Sequence, residues 1–390
     1  IMYKIRTYNA ISSKGLSRFP TDTYQVSGDI SDADGVLLRS QKLHDEVLPE
    51  SVVAVARAGA GVNNIPLADY TEKGIVVFNT PGANANAVKE LIVAALLMGS
   101  RDIYGGMNYV QSLTEMTDSA EMGKLLEKEK KRFAGGEVQG KTLGVVGLGA
   151  IGSMIANLAL DLGMNVIGYD PAISVEAAWQ LSSSVERMEN LEALLARADF
   201  ITLHVPAIPA TKHLINSKTL AGMKSTAKIL NFAREEIVST EDMIAALDKG
   251  TVAGYITDFP TPDLLGRNDV LLMPHIGAST EEAEENCAVM AANQLMDFLE
   301  NGNIRNSVNY PQIKMSRNGG TRITFTNKNV PKILGSVLSV LADANLNVVD
   351  MVNKSREDIA YNIIDVEGNI DDSIKSSIAG VDGVVSVRII

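Results

Sequence analysis

The sequence predicts an α/β protein that contains two doubly wound parallel-sheet units and a smaller ferredoxin-like unit. Three observations support this prediction. Apolar strand-like runs alternate with helical stretches through the middle of the chain, a shorter alternation occupies the first 80 residues, and residues 321–390 follow the order β-α-β-β-α-β. A chain of 390 residues also exceeds what one ordinary hydrophobic core accommodates, so two or three domains are expected.

The middle of the chain has the pattern of an open parallel sheet. Turn residues bound its short apolar runs, and the segments between them have helical periodicity with capping residues, such as Ser239 ahead of Asp242. Ligands of such sheets bind beyond the carboxyl ends of the strands. The predicted strands cover residues 143–146, 165–169, 200–205, 227–232, 252–257 and 270–273.

A glycine motif follows the first of these strands. Gly147-x-Gly149-x-x-Gly152 opens an amphipathic helix that ends at Gly163. Glycines at this spacing permit a tight turn, close approach of the backbone to a pyrophosphate and close helix packing, and the helix N-terminus attracts phosphates. A glycine triplet alone often marks only a turn, but here an acid follows at the end of the next strand. A carboxylate at Asp170 can accept from a ribose 2′-hydroxyl and would repel a 2′-phosphate, so the predicted cofactor is NAD rather than NADP.

Three polar residues near the predicted strand ends suit redox chemistry at a 2-hydroxy acid. Imidazole titrates near neutral pH, so His275 suits taking the proton of a secondary alcohol while hydride leaves the same carbon. Arg234 supplies a guanidinium for the carboxylate and the C2 oxygen, and Asp263 a carboxylate that would fix the imidazole tautomer. Each has an ordinary alternative, as a turn histidine, a surface arginine or a capping aspartate. Their joint presence in one nucleotide-binding sheet favours the catalytic interpretation.

The remaining segments complete the domain plan. Strand-like runs at 35–38, 52–56 and 75–78 indicate a smaller α/β unit, and a long helix from Ser279 to near Gly302 returns the chain to it. The Pro, Ser, Asn and Gly-Gly content of 311–320 indicates a linker. The expected domains are a discontinuous substrate-binding domain, a nucleotide-binding domain, the linker and a C-terminal domain, at 1–88 with 281–310, 89–280, 311–320 and 321–390.

Composition and charge limit the classes of partner. The formal net charge is −12, so no basic field favours nucleic acid or an anionic membrane, and an anionic substrate must be bound by local arginines. The single cysteine, Cys287, cannot form an internal disulfide and fits a reducing, cytoplasmic setting, and no metal-binding cysteine spacing occurs. The longest apolar run, 91–98, is too short to span a membrane, and no signal peptide is visible.

The chain resembles the D-isomer-specific 2-hydroxyacid dehydrogenase family, in particular its members with a C-terminal ACT domain. The resemblance spans nearly the whole chain and rests on the glycine motif together with residues 57–64, 79–81, 231–234 and 275–280. It implies two Rossmann-like domains, for substrate and for NAD, followed by an ACT domain. It also implies NAD-dependent oxidation of a phosphorylated 2-hydroxy acid, D-3-phosphoglycerate, to 3-phosphohydroxypyruvate at the start of L-serine biosynthesis.

The family's catalytic residues are an Arg, a Glu and a His, and Arg234 and His275 match the first and the last. The acid position, five residues after the aspartate that contacts the nicotinamide, Asp258, holds Asp263. Its side chain is one methylene shorter than the usual Glu, which would loosen the pairing with His275 unless the backbone moves closer. A second departure is a pair of glutamates at 235 and 236, which are expected to face solvent.

The resemblance also assigns binding residues. Arg39 and Arg57 would bind the substrate phosphate, and the backbone around Gly59, Gly61 and Asn63 would approach the substrate carboxylate. For each arginine, a solvated surface charge is the ordinary alternative. The implied cofactor contacts are Gly147, Gly149, Ala150, Ile151, Gly152, Asp170, Val205, Phe232, Ala233, Arg234, Asp258, His275, Gly277 and Ala278.

In the C-terminal unit, Asn329 and Asn347 match two asparagines of serine-sensing ACT domains, so L-serine is the expected effector. The unit departs from that pattern at Asn327 and Val330, and a dimerisation module without a ligand is the alternative. The family further implies a homodimer or homotetramer assembled around the nucleotide-binding domain.

Two other functions remain open from the sequence. A relative that acts on glyoxylate, hydroxypyruvate or D-lactate would not need Arg39 and Arg57 to converge on a phosphate. A non-catalytic NAD or amino-acid sensor would have no need for Arg234, Asp263 and His275 together.

Overall fold

The computed structural model describes all 390 residues. Their contacts form two compact units, one of Ile1–Asn84 with Glu281–Ile390 and the other of Ala85–Thr280. The finer division into three domains with the predicted bounds remains a prediction. None of the helices has both the length and the apolar content needed to cross a lipid bilayer.

The first unit begins with a five-stranded parallel sheet. Its elements are β1 (Tyr3–Thr7), α1 (Ser13–Leu16), β2 (Tyr24–Ser27), β3 (Gly35–Leu38), β4 (Ala54–Arg57), α2 (Leu67–Glu72) and β5 (Val76–Phe78). The strand order is β2-β1-β3-β4-β5. All four residues of β3 are buried, as expected for a strand covered on both faces. The sequence predicts β3, β4 and β5, and the structure adds β1 and β2.

The second unit is built on a seven-stranded parallel sheet. Its helices are α3 (Ala85–Ser100), α4 (Ile103–Ser112), α5 (Ser119–Glu129), α6 (Ala150–Asp161), α7 (Val175–Gln180), α8 (Leu191–Arg197), α9 (Ser217–Ala221) and α10 (Thr240–Lys249), with short 3₁₀ turns at Lys130–Phe133, Glu235–Ile237 and Pro262–Leu264. Its strands are β6 (Thr142–Val146), β7 (Asn165–Tyr169), β8 (Glu186–Arg187), β9 (Phe200–Leu203), β10 (Lys228–Asn231), β11 (Gly254–Thr257) and β12 (Val270–Leu272).

The strand order of this sheet identifies its ligand-binding edge. The order is β12-β11-β10-β9-β6-β7-β8, so the chain reverses direction across the sheet at β6, and ligands of such sheets bind at that reversal. The predicted strand 165–169 coincides with β7, and the other five predicted strands agree with β6 and β9–β12 to within two residues at either end. The predicted α/β fold class is confirmed.

The chain returns to the first unit through α11 (Glu281–Asn301), the long helix that the sequence predicts. A four-stranded antiparallel sheet with two helices follows, in the strand order β14-β15-β13-β16. The elements are β13 (Thr321–Lys328), α12 (Ile333–Asp343), β14 (Val348–Arg356), β15 (Ile359–Val366), α13 (Asp372–Ala379) and β16 (Val384–Ile389). This succession confirms the predicted order β-α-β-β-α-β.

Residues 311–320, which their composition predicts to be a linker, are packed against the first unit. They form no helix or strand, but Ile313 and Met315 are only 1% and 5% exposed. Ile313 also exchanges two backbone hydrogen bonds with Ile304, at 3.0 and 2.8 Å. The segment is therefore packed into the first unit, because two of its apolar side chains contribute to the core.

Two arginines fix the carboxyl end of α11 to the antiparallel sheet. Arg322 of β13 is fully buried, pairs with Asp365 of β15 at 2.7 Å and donates to the Asn301 carbonyl at 2.9 Å. Arg388 of β16 donates to two further carbonyls of the last turn, at 3.1 and 2.7 Å. The last carbonyls of a helix lack intrahelical donors and carry the negative end of its dipole, so guanidinium groups satisfy both needs.

Candidate active site

The three glycines of the turn after β6 have different surroundings. Gly147 has φ +92°, and a Cβ there would lie 2.5 Å from the His204 carbonyl oxygen. A Cβ on Gly152 would lie 1.9 Å from the Gly147 carbonyl oxygen, whereas one on Gly149 would meet no atom within 4 Å. The first and third glycines therefore permit the turn and its packing. The space beside Gly149 leaves room for a group that approaches the N-terminus of α6, as pyrophosphate binding requires.

Asp170, at the carboxyl end of β7, is hydrogen-bonded to this turn. Its Oδ2 accepts from the Leu148 backbone N–H at 2.8 Å, and its Oδ1 accepts from Ala172 at 2.9 Å. Sequence reasoning assigns Asp170 to a ribose hydroxyl and does not identify the bond to the turn. The carboxylate thus orients the glycine turn as well as standing where a ribose is expected.

Asp258, just beyond the end of β11, has an unused acceptor. Its side chain is almost fully buried, Oδ2 accepts from the Gly277 backbone N–H at 3.2 Å, and Oδ1 has no hydrogen-bond partner. Burial raises the pKa of Asp258, against the lowering effects of the Gly277 N–H, His275 and Arg234. A buried acceptor without a donor is costly in a folded protein. It fits a ligand that brings an N–H group, such as a carboxamide.

The other residues predicted to contact the cofactor lie on the loops that follow the strands of this sheet. Phe232 and Gly277 are buried, Val205 and Ala233 are partly buried, and Ala278 is exposed. Together with the glycine turn, Asp170 and Asp258, they give the second unit a set of groups that fits a dinucleotide.

Arg234 lies on a loop that a buried side chain holds in place. Asn231, at the end of β10, is fully buried, donates from Nδ2 to the Arg234 carbonyl at 2.9 Å and accepts from the Ala233 N–H at 3.2 Å. Arg234 itself is exposed, and its guanidinium donates to the Ala233 carbonyl at 2.7 Å. Glu235 and Glu236 are exposed, so the expectation that they face solvent is confirmed. Sequence reasoning places Asn231 at a strand end but does not assign it this role.

His275 is exposed in the loop after β12, and its backbone has φ +52°. Its ring lies 5.0 Å from that of Phe259, a contact that the sequence does not predict. Asp263 is exposed in the turn Pro262–Leu264, and the structure contains no hydrogen bond or ion pair between Asp263 and His275. The predicted pairing is thus absent from the structure, whereas the charge of His275 is close enough to Asp258 to lower the pKa of that carboxyl group.

The other histidines have structural explanations. His204 places Nε2 2.8 Å from the Thr202 hydroxyl, and burial lowers its pKa to about 3. A neutral imidazole that satisfies a strand end is the ordinary role for such a residue. His213 and His44 are both exposed in turns.

The two arginines predicted to bind phosphate lie together in the first unit. Arg39 directly follows β3, Arg57 is the last residue of β4, and the Arg57 Nε donates to the Arg39 carbonyl at 2.8 Å. The Arg57 guanidinium lies over the glycine-rich turn, 3.1 Å from where a Gly61 Cβ would be and 3.5 Å from the corresponding position at Gly59. Asn63 is exposed and its neighbour Asn64 is buried, with its Nδ2 bonded to the Arg39 carbonyl at 3.2 Å.

An acidic residue outside every predicted motif contacts one member of this pair. The Arg39 guanidinium forms an ion pair with Glu284, in the first turn of α11. No pattern in the sequence predicts this contact, because the two residues are 245 positions apart.

The asparagines predicted to bind an effector have different hydrogen-bond partners. Asn329 donates to the Glu357 carbonyl at 3.0 Å and lines a groove of about 880 Å³. Asn347 is bonded to the Glu367 carboxylate at 3.0 Å and is not part of that lining. Asn327, where the resemblance expects a histidine, is buried in β13 and accepts from Asn362 at 2.7 Å.

Comparison with known proteins places this site in a family. Residues 105–277 match the D-isomer specific 2-hydroxyacid dehydrogenase, NAD binding domain. The D-3-phosphoglycerate dehydrogenase of Haemophilus influenzae is 31% identical over 87% of this chain and 81% of its own length. That of Escherichia coli K12 is 30% identical over 95% of this chain and 90% of its own length. The chain belongs to the D-isomer specific 2-hydroxyacid dehydrogenase family. Its second unit, with the glycine turn and Asp258, is the NAD binding domain of that family.

Other members of the family are longer than the present chain. The D-3-phosphoglycerate dehydrogenase of Methanocaldococcus jannaschii is 36% identical over 83% of this chain, and that of Synechocystis is 38% identical over 72%. The matches cover only 60% and 50% of those two proteins.

Solved structures agree with this assignment. A 3-phosphoglycerate dehydrogenase of Entamoeba histolytica, solved with bound NAD+, matches 79% of this chain and 99% of its own with a TM-score of 0.60 and 27% identity. A D-mandelate dehydrogenase of Rhodotorula graminis matches 81% of this chain and 100% of its own with a TM-score of 0.68. At 23% identity, the latter likeness concerns the fold alone.

Proposed function

We propose that the protein oxidises D-3-phosphoglycerate to 3-phosphohydroxypyruvate with NAD, as the first step of L-serine biosynthesis. The observation that carries this proposal is the arginine pair, Arg39 and Arg57, at the ends of two adjacent strands, in a family whose members of 30–38% identity are named D-3-phosphoglycerate dehydrogenase. Two guanidinium groups suit a phosphate because each donates in a fixed fork. A relative that acts on an unphosphorylated 2-hydroxy acid has no phosphate for such a pair to bind.

The cofactor would be held by the second unit. The turn from Gly147 to Gly152 suits the pyrophosphate, Asp170 a ribose hydroxyl, and the unpaired Oδ1 of Asp258 the carboxamide N–H₂. Bound NAD supplies the hydride acceptor. The protein's part is to orient it and to exclude a 2′-phosphate through the charge of Asp170.

The exposed catalytic residues accept the hydroxyl proton and polarise the C2 oxygen. In this proposal, His275 accepts the hydroxyl proton as the C2 hydrogen leaves, and the Arg234 guanidinium binds the carboxylate and polarises the C2 oxygen. Asp263 orients the imidazole and stabilises its charged form. Its carboxylate is exposed in the turn Pro262–Leu264 and forms no bond with His275 in the structure, so this role requires the side chain to move toward the imidazole. Asp258 adds negative charge near the same ring.

The test is to follow NADH absorbance with purified protein and D-3-phosphoglycerate at alkaline pH, with D-lactate and D-glycerate in parallel. Only the phosphorylated acid should turn over at a substantial rate. Turnover of the unphosphorylated acids instead would assign the protein to a different substrate class in the family. NAD binding without any turnover would favour a cofactor sensor.

A second measurement separates catalysis from cofactor binding. His275→Ala should lower kcat by about 10² to 10⁴, the usual contribution of a general base, and leave NAD affinity unchanged. His44→Ala, an exposed histidine in a turn, is the matched control and should behave as the wild type. An active His275→Ala protein would contradict the assigned role.

We also propose that residues 321–390 form an ACT domain and that L-serine binds this domain through Asn329 and Asn347. The enzyme would be a cytoplasmic homodimer or homotetramer. The order of its elements and the polar exposed asparagines support this. L-serine, but not D-serine, should inhibit turnover, and Asn347→Ala should remove the inhibition. A mass of the native protein equal to one chain would contradict the oligomer.

A further inference from the structure

We propose that Glu284 is an internal competitor for the anion site formed by Arg39 and Arg57, so that a substrate anion must displace its carboxylate before it binds. This inference rests on the function proposed above, because it takes the same two arginines as the phosphate site. It adds a residue that sets the affinity of that site.

The two arginines form one positively charged site. Their strands are neighbours in the sheet, with Leu38 of β3 in register with Arg57 of β4, so both side chains leave the same carboxyl edge. Burial lowers the pKa of Arg57, and the nearby charge of Arg39 lowers it further. Two guanidinium groups that disfavour each other's charge attract an anion more strongly than either does alone.

Glu284 is the acidic side chain that forms an ion pair with this site. Its Oε1 contacts the Arg39 guanidinium, and both side chains are about half exposed, at 46% and 45%. Cys287, one turn later on α11, is close to the same charges: burial raises the pKa of its thiol, Arg39 and Arg57 lower it, and Glu284 raises it. Helix α11 therefore brings a carboxylate and a buried neutral group to the arginines.

The contact is of the kind that a ligand can displace. A half-exposed ion pair contributes little to stability, because both groups are well hydrated when apart. A displaced Glu284 would stay in the first turn of α11, where the helix dipole stabilises an acid. An internal competitor lowers the affinity of every anion by one common factor. A dianionic phosphate would still bind, whereas weakly held monoanions would be kept out at ordinary concentrations.

The test uses two tetrahedral anions of different charge, sulfate and methanesulfonate. Their dissociation constants are measured by calorimetry at constant ionic strength on the full chain with saturating NAD, for the wild type, Glu284→Gln and Glu282→Gln. Glu282 lies in the same first turn and its substitution makes the same charge change, but it has no contact with the arginines. Glu284→Gln should bind both anions more tightly by the same factor, about 3- to 5-fold, which is the upper part of the range for loss of an exposed ion pair. Glu282→Gln should stay within about twofold of the wild type, since an exposed charge without a partner acts only through a screened field.

Different failures have different meanings. An equal increase in anion affinity in Glu284→Gln and Glu282→Gln would show a general field effect. An increase for sulfate equal to the square of the increase for methanesulfonate would show the same, and either result would overturn the proposal that Glu284 competes for the site. If Arg39→Gln loses sulfate but Glu284→Gln gains none, this inference fails and the proposed phosphate site stands. If neither the wild type nor Glu284→Gln binds sulfate while NAD still binds, the phosphate site of the proposed function fails as well.

Discussion

Asp170 has two tasks at the scale of a single residue. Its carboxylate accepts from the Leu148 N–H of the glycine turn and from Ala172, and it is also the group expected to meet the ribose. A carboxylate has about four lone-pair sites, so these two bonds leave capacity for a ribose hydroxyl. Its negative charge, rather than its shape, should decide between NAD and NADP.

Asp170→Asn should therefore weaken NAD binding and reduce the ratio of the affinity for NAD to the affinity for NADP. The amide keeps the size of the side chain but loses one acceptor oxygen and the repulsion of a 2′-phosphate, so we expect a loss of about 1–2 kcal/mol in NAD binding. Fluorescence titration with NAD and NADP measures both effects. Asp161→Asn, an exposed aspartate at the end of α6, is the control. If the ratio of the NAD and NADP affinities stays unchanged, the charge of Asp170 does not determine the choice of cofactor.

His204 should make stability depend on pH. Burial lowers its pKa from the usual 6.5 to about 3, so the folded protein keeps it neutral where the unfolded chain binds a proton. The unfolded state thus binds more protons between these values, and the free energy of unfolding falls as the pH drops from 6.5 toward 3. His204→Gln should flatten this part of the profile, as measured by urea unfolding at a series of pH values. An unchanged slope would place the cause elsewhere.

Sequence reasoning finds residues whose position along the chain implies their place in space. His275, Arg234 and Asp258 follow strands of one parallel sheet, and the carboxyl ends of such strands share an edge. It does not find partners whose contact depends on packing. Glu284 contacts Arg39 across 245 positions, and the predicted pairing of Asp263 with His275 is not formed.

At the scale of elements, the strand, turn and helix from β6 to α6 separate two roles of glycine. Gly152 is required by packing, since any Cβ would collide with the Gly147 carbonyl. Gly149 is not required by the fold, since its Cβ position is open. The second glycine is therefore explained by what binds there rather than by how the chain folds.

Gly149→Ala and Gly152→Ala form a matched pair that tests this division. Gly149→Ala should keep the melting temperature within about 1–2 °C of the wild type, because an exposed substitution without a clash costs little, but it should weaken NAD binding. Gly152→Ala should lower the melting temperature several times more than Gly149→Ala does, because the turn must open to make room for the Cβ. Thermal unfolding and NAD titration on both variants give the answer. Equal effects on stability would contradict the assignment.

Among the parallel strands, those that the sequence predicts have continuous apolar runs. The parallel strands β6 and β9–β12 are of this kind, and their short apolar runs stand out between turn residues. β1 has a single fully buried residue, Ile5, between partly buried polar ones, and β8 has only two residues. Strands of this kind are recognised from their neighbours in the sheet, which a linear pattern does not contain.

At the scale of the whole molecule, the buried pair of Arg322 and Asp365 joins three segments. Arg322 also donates to the carbonyls of Asn301, Met315 and Ser316. One guanidinium of the antiparallel sheet therefore provides hydrogen-bond donors to acceptors in α11 and in the segment 311–320. The predicted linker is packed for this reason as well as for its two buried apolar side chains.

Arg322→Met should destabilise the protein strongly. It leaves Asp365 charged and buried without a partner, which costs about 3–5 kcal/mol. Adding Asp365→Leu should restore part of the loss, since the second change removes the stranded charge but not the unpaired carbonyls. Urea unfolding of the two variants measures this. A single variant as stable as the wild type would show that the pair contributes nothing.

Helix α11 has a second consequence, which concerns communication over distance. Its first turn carries Glu284 against Arg39, and its last turn is held by Arg322 and Arg388, so 21 residues span about 30 Å between an anion site and the antiparallel sheet. A ligand of that sheet that shifts α11 along its axis would move Glu284 relative to Arg39. It would therefore change how often Glu284 occupies the anion site. Thermodynamic linkage makes the effect reciprocal: a phosphorylated substrate would alter the affinity for that ligand by the same factor.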